Sequence, residues 1–174
     1  CRGLPVEIRV EDYRSLQGRY DKIVSVGMFE HVGRKNYAVY FDTVQRLLDG
    51  AGLFLLHTIG ARVYTEALDP WIDRHIFPNG QLPAPAELAG TIEPRFIVED
   101  WHNFGPDYDR TLMCWWENFD AAWPRLRERY GERFYRMFKY YLLACAGLFR
   151  SRQGQLWQLV LSPREREGVY RSVR

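Results

Sequence analysis

Glu30 and His57 are the residues whose type and setting point most directly to chemistry. Glu30 lies in Val26-Gly27-Met28-Phe29-Glu30-His31-Val32-Gly33, where an apolar run gives way to a carboxylate beside a histidine. His57 lies in Leu53-Phe54-Leu55-Leu56-His57-Thr58-Ile59-Gly60, a second apolar run with a titratable residue near its end. Two titratable side chains at the ends of two buried strands converge on one crevice, where an open α/β sheet places its chemistry. A metal site from His31, His57 and Glu30 is a weaker reading, because no metal-type spacing such as HxxxH is present. A serine hydrolase is weaker still: Ser25 lies inside the first strand and no GxSxG elbow occurs.

The elements that must position these groups follow from apolar spacing. Asp21 to Val26 reads as a strand covered on both faces. Asn36 to Asp49 carries Val39, Tyr40, Val44, Leu47 and Leu48 at helical spacing and ends at Gly50. With the strand through Ile59 it makes a βαβ unit, whose parallel strands bring Glu30 and His57 to one sheet edge. Val6-Glu7-Ile8-Arg9-Val10 alternates as a strand does, and Asp12-Tyr13 follows it. Residues 61–94 change character: Trp71 to Phe77 and Ala86 to Ala89 read as short helices around Pro78-Asn79-Gly80, a lid over the crevice or a plain connecting excursion. Phe96 to Trp101 supplies a further strand, after which the turn at Gly105 puts Tyr108 near the same edge. Two helices are expected next, the second from Pro124 to about Arg150, and then a last strand from Gln155 to Ser162.

The chain of 174 residues, 47% hydrophobic and 26% charged, suffices for one domain spanning 1–174 with a sizeable core. Nothing near 20 consecutive apolar residues occurs, which excludes a membrane-spanning helix. Three scattered cysteines, Cys1, Cys114 and Cys145, make no disulfide framework or zinc motif and fit a cytoplasmic setting. Charge is uneven. Residues 1–123 hold 12 basic against 18 acidic side chains, and residues 124–174 hold 12 against 4. The basic part, interleaved with Tyr130, Phe134, Tyr135, Phe138, Tyr140 and Tyr141, is either a solvated helix face or a surface for anionic lipid.

With Glu30, His57 and Tyr108 placed, the chain resembles the cyclopropane-fatty-acyl-phospholipid synthases over essentially its whole length. The blocks that carry the resemblance are Tyr20 to Gly33, Leu55 to Gly60, Ile76 to Gly80, Glu99 to Gly105 and Tyr140 to Gly147, in that order. The resemblance implies an α/β fold: the C-terminal part of a Rossmann-like class I methyltransferase domain, with a mostly parallel sheet, flanking helices and the inserted segment. It implies S-adenosylmethionine as donor, an unsaturated phospholipid at the membrane surface as acceptor, and a methylene added across a cis double bond. Bicarbonate is the implied base, held by Glu30, His57, Tyr108 and the backbone of Ile59. Asp12, Tyr13, Val26 and Gly27 are the implied donor-binding residues, and Cys145 matches the position of an active-site cysteine. Its apolar helical neighbours alone suggest a small buried hydrophobe.

Trp101, Phe104, Trp115, Trp116, Trp123, Phe138 and Tyr141 are candidates to line an acyl slot or belong to ordinary core. The glycine-rich turn for the donor's methionine part, the acidic residue for its ribose, and the family's upstream cysteine at the bicarbonate site find no counterpart in the sequence. The chain is therefore expected to match the part of the catalytic domain that follows them. A related fatty-acyl methyltransferase without ring closure, and a membrane-surface or partner-binding fragment without activity, are the alternatives. No nucleic acid is expected as partner. A location at the inner face of the membrane is expected, and a homodimer is left open.

Overall fold

In a computed structural model, residues 3–172 are described. A four-stranded sheet runs in the order β1-β2-β4-β3, from β1 (Tyr20–Val26), β2 (Leu48–Ala61), β3 (Phe96–Asn103) and β4 (Gly154–Pro163). β1 and β2 pair in parallel through the crossover helix α1 (Tyr37–Leu47), with Val26 opposite His57. β4 is antiparallel to both β2 and β3, so three strands point one way and the fourth is reversed. The sheet is thus mixed: the expectation of a mostly parallel sheet holds for strand direction, while two of the three pairings are antiparallel. The carboxyl ends of β1, β2 and β3 lie at one edge, as the βαβ reading requires.

Two apolar clusters hold the sheet. On one face, α1 and α3 (Pro85–Ile92) pack Phe41, Leu88 and Ile92 against Phe54, Leu56, Leu159 and Leu161, all completely buried. Trp157 belongs to this layer, edge-on to Trp101 at 5.4 Å, and its six-membered ring lies against Gly60. On the other side, Leu112, Leu142, Ala146 and Phe149 close on Leu156 and Ile59. Leu55, His57 and Ile59 alternate with Phe54, Leu56, Thr58 and Gly60 along β2, and the second set is the more deeply buried.

The long element α4 (Gly105–Arg150) is broken at Gly131, whose backbone (φ 72°, ψ 163°) is not helical. Its two arms form an antiparallel hairpin zipped by rings: Phe119 stacks on Tyr135 and packs on Phe138, and the Tyr135 hydroxyl donates to Asp120 at 2.6 Å. At the base, Arg150 returns to pair with Asp109 at 3.0 Å, beside the Tyr108–Phe149 ring contact. Two helices were expected, and two arms are found, but the break falls at Gly131 and not at Pro124, which sits inside the first arm. Proline costs the helix one N–H bond and crowds the preceding turn, whereas a residue held at positive φ ends it outright.

The alternating segment Val6–Val10 forms no strand. Val6, Ile8 and Val10 are exposed, Val10 completely, and the segment joins no ladder among the described residues. Alternation specifies a strand only where a neighbour supplies hydrogen bonds and a face to cover.

Candidate active site

Glu30 is placed by its neighbour. After β1 the chain turns at Gly27 into a short 3-10 turn, Phe29–His31, in which Phe29 is completely buried. The Phe29 ring stacks on Tyr37 at 4.2 Å and meets Tyr40 and Phe41. With this plug seated in the core, the next side chain turns toward the end of β2. The Ile59 N–H donates to Glu30 Oε1 at 2.6 Å, and the second carboxylate oxygen, also buried, has no hydrogen-bond partner among the described residues. A buried acceptor left without a donor is costly. The hydroxyls of Ser25, Tyr37 and Tyr40 are also buried without a partner among the described residues, but of these four groups only Glu30 lines the cavity described next.

Beside Glu30 is a cavity of about 400 Å³ whose walls are chiefly apolar. Gly27, Glu30 and Ile59 line it from the sheet edge, Tyr108, Cys145 and Phe149 from the base of the hairpin. Five of the residues named from sequence, Gly27, Glu30, Ile59, Tyr108 and Cys145, therefore meet in one place. Burial raises the Tyr108 hydroxyl above the usual phenol range, and the proximity of Glu30 and Cys145 adds to the rise. The hydroxyl makes no hydrogen bond among the described residues and stays a donor at neutral pH. Tyr141 is pushed up to about 12, by burial first and then by Cys145 and Tyr108.

His57, Val26, Asp12 and Tyr13 lie outside the lining of this cavity. The Gln158 amide donates to His57 Nδ1 at 3.1 Å, which places the ring hydrogen on Nε2. The His57 carbonyl accepts from Gly27 N–H, so histidine and turn are coupled through the backbone. Val26 ends β1 with 63% of its surface exposed. Asp12 caps the 3-10 turn Tyr13–Ser15 and is paired with Arg14, which lowers its carboxyl to about 2. Tyr13 packs on Tyr40. The Ile59 N–H is already engaged by Glu30, and its carbonyl accepts from the Thr58 hydroxyl.

Residues 62–84 close over the cavity, which selects the lid reading of this insertion. Its helix α2 (Pro70–His75) sets Trp71 edge-on to Tyr140 at 4.4 Å, and Phe77 meets Tyr141. Leu68, Ile72, Phe77 and Leu82 face the cavity. None of the seven aromatics named as slot or core candidates lines it; its rings are His31, Phe77, Tyr108 and Phe149. The seven pack on other rings of the hairpin, the sheet and the lid instead, as Phe104 stacks on His102.

A clasp that no sequence motif announces ties the lid down. Arg34 Nε donates to Glu87 at 2.6 Å, and its other nitrogens donate to the carbonyls of Thr65, Glu66 and Leu82. Its backbone N–H donates to the Gln81 side chain, and Gln81 N–H donates to the Glu30 carbonyl at 2.8 Å. Arg34→Ala strips a mostly buried carboxylate and three carbonyls of their donor, for an expected loss of about 2–3 kcal/mol. Urea unfolding measures that loss, and faster proteolytic cutting within residues 62–84 accompanies it; an unchanged midpoint would show that the clasp is not holding.

The family model for mycolic acid cyclopropane synthetase matches residues 3–159. The chain belongs to this family. It is 59% identical over 162 residues to the cyclopropane-fatty-acyl-phospholipid synthase of Escherichia coli K12, an alignment that takes in 93% of this chain and 42% of that protein. A probable fatty acid methyltransferase of Pseudomonas putida is 34% identical over 89% of this chain and 41% of its own length. Among solved structures, the mycolic acid cyclopropane synthase CmaA1 complexed with SAH and CTAB superposes with a TM-score of 0.77 at 28% identity, over 86% of this chain and 57% of that one. The chain spans less than half the length of these two curated relatives. The mixed sheet with its flanking helices is part of a class I methyltransferase fold, as the sequence led us to expect. No helix among the described residues is long and apolar enough to cross a membrane.

In this member of the family Cys145 is half-buried on the cavity wall and burial pushes its thiol up to about 11. At pH 8 such a thiol is about 0.1% thiolate, and the thiolate is the nucleophile. Iodoacetamide at that pH is expected to alkylate the exposed Cys114 at least about 100-fold faster than Cys145. Peptide mass spectrometry reads both rates; equal labelling in the folded protein would contradict a buried, protonated Cys145.

Proposed function

We propose that this chain carries the acceptor-binding and proton-accepting side of a cyclopropane-fatty-acyl-phospholipid synthase. The observation that carries the reading is the orphaned Glu30 oxygen beside an apolar cavity that Tyr108 also lines. The 59% identity to the Escherichia coli synthase supports the substrate class.

S-adenosylmethionine, when bound, supplies an electrophilic methyl group. Gly27, on the cavity wall, and the apolar Val26 at the end of β1 form the side of this chain that would meet it, with Asp12 and Tyr13 before β1 toward its adenine end. The alkene is a poor nucleophile, so its alignment matters more than any group that activates it. The apolar walls hold the acyl chain and exclude water, and the Phe77, Tyr108 and Phe149 rings offer π faces to a cationic carbon. Methyl transfer leaves that cation, and ring closure then requires loss of one proton from the new methyl group.

The residues present fit bicarbonate as the acceptor of this proton. Glu30 Oε2 would accept its hydroxyl hydrogen and the Tyr108 hydroxyl would donate to it. His57, whose Nδ1 accepts from Gln158, lies outside the cavity lining and is not part of this set. Cys145 serves as a neutral wall. The likeness to a probable fatty acid methyltransferase supports a second reading, in which the cation is resolved without closing the ring.

The test is incubation of the protein with S-adenosylmethionine labelled in its methyl group and vesicles of unsaturated phospholipid. The expected product is a lipid one CH2 heavier whose NMR spectrum shows a cyclopropane ring. A branched methyl would favour the second reading, and no label in lipid would overturn both.

A further inference from the structure

We propose that the tip of the α4 hairpin is the surface by which this protein docks on an anionic phospholipid bilayer. The inference deepens the proposed function by naming the face that meets the membrane. In the body of the protein Arg34 pairs with Glu87, Arg95 with Asp42, Arg150 with Asp109 and Arg166 with Glu99, while Arg19, Arg46, Arg62, Arg74, Arg152, Arg164 and Arg171 are scattered and form no ion pair among the described residues. At the tip the arginines outside ion pairs are concentrated on one short stretch. Arg125, Arg127, Arg129, Arg133 and Arg136 are all exposed, and none forms an ion pair among the described residues. From Pro124 to Lys139 the sequence holds six basic residues against two acidic ones, Glu128 and Glu132.

The shape of the element suits a surface contact. The rings of Trp116, Phe119, Trp123, Phe134, Tyr135 and Phe138 are satisfied by one another, so the distal hairpin is stiffened from within. Its end, at the Gly131 bend, is left to solvent with Tyr130 42% exposed beneath the Arg129 guanidinium. Unpaired guanidinium groups with an amphipathic ring among them match phosphate headgroups over an interfacial layer. The base of the same two arms lines the apolar cavity through Tyr108, Cys145, Leu148 and Phe149. Charge complementarity and the acyl-sized cavity together favour a bilayer over a nucleic acid, which would need only the charge.

Each basic residue near an anionic membrane surface adds about 1 kcal/mol, so removing three predicts a fall of about 100-fold in partition. The experiment is co-sedimentation of the protein with vesicles of phosphatidylcholine alone and of phosphatidylcholine with phosphatidylglycerol, without any methyl donor. The combined Arg125→Gln, Arg127→Gln, Arg129→Gln variant is expected to lose that factor on the anionic vesicles, with unchanged circular dichroism. Wild-type binding should weaken steeply with salt. Removing equal charge elsewhere, by Arg152→Gln, Arg164→Gln and Arg171→Gln together, should leave partition near wild type. A tip variant that binds like wild type, a control variant that loses as much, or tighter binding to a single-stranded oligonucleotide than to anionic vesicles would each overturn the proposal. Because no turnover is measured, these outcomes stand whether or not methylene transfer occurs.

Discussion

Glu30→Gln is expected to lower methylene transfer by about 10²–10⁴-fold in kcat while the KM for lipid stays near wild type. The two carboxylate oxygens of Glu30 are engaged differently. Oε1 accepts the Ile59 N–H at 2.6 Å, and a glutamine would keep that contact with its amide oxygen. The amide nitrogen then occupies the place of Oε2, and an acceptor without a partner becomes a donor. A bicarbonate hydroxyl has nothing to donate to in the variant, so its orientation is lost although the cavity keeps its size. The thermal midpoint should move little, because Phe29 still anchors the turn. Steady-state kinetics on unsaturated vesicles checks the split, and wild-type turnover in the variant would remove Glu30 from the mechanism.

Gly60→Ala is expected to destabilise the fold by about 3 kcal/mol or more, the largest stability effect we foresee for adding one methyl group. A Cβ at position 60 would lie 2.1 Å from the Trp157 ring, well inside contact distance. Trp157 has nowhere to go: it is 1% exposed, edge-on to Trp101, and its Nε1–H donates to Gln155 at 2.9 Å. Overpacking commonly costs about 1–3 kcal/mol, and displacing a buried indole adds to that. Gly90 supplies the control. It lies within α3 with nothing within 4 Å of where its Cβ would be, so Gly90→Ala should stabilise by about 0.5–1 kcal/mol. Guanidinium unfolding of the two variants should move the midpoints in opposite directions; a neutral Gly60→Ala would mean that the indole layer is loosely packed.

The βαβ core could be read from residue order because it rests on local signals. The apolar runs of β1 and β2 and the 3.6-residue spacing of α1 survive in the structure with ends moved by a few residues. Signals that need a partner misled. Val6–Val10 alternates but finds no ladder, and Pro124 looked like a boundary although Gly131 is the break. At the site, Glu30 and Tyr108 were legible because each lies just past a strand end, while Ile59 came only from the family resemblance. Leu148 and Phe149 were not, because they reach the cavity only when the hairpin folds back from Gly131 to Asp109. Arg34 and Glu87, 53 residues apart, carry no pattern that would pair them before the lid is in place.

We propose that Glu30 and Tyr108 hold a bicarbonate ion that takes the proton lost on ring closure. This is tested most directly by measuring methylene transfer in carbonate-depleted buffer while bicarbonate is added back. The rate is expected to fall on depletion, to recover saturably in the wild type, and to stay low at every concentration in Glu30→Gln. A wild-type rate that does not respond to depletion would contradict it and leave the proton to a side chain of the cavity itself.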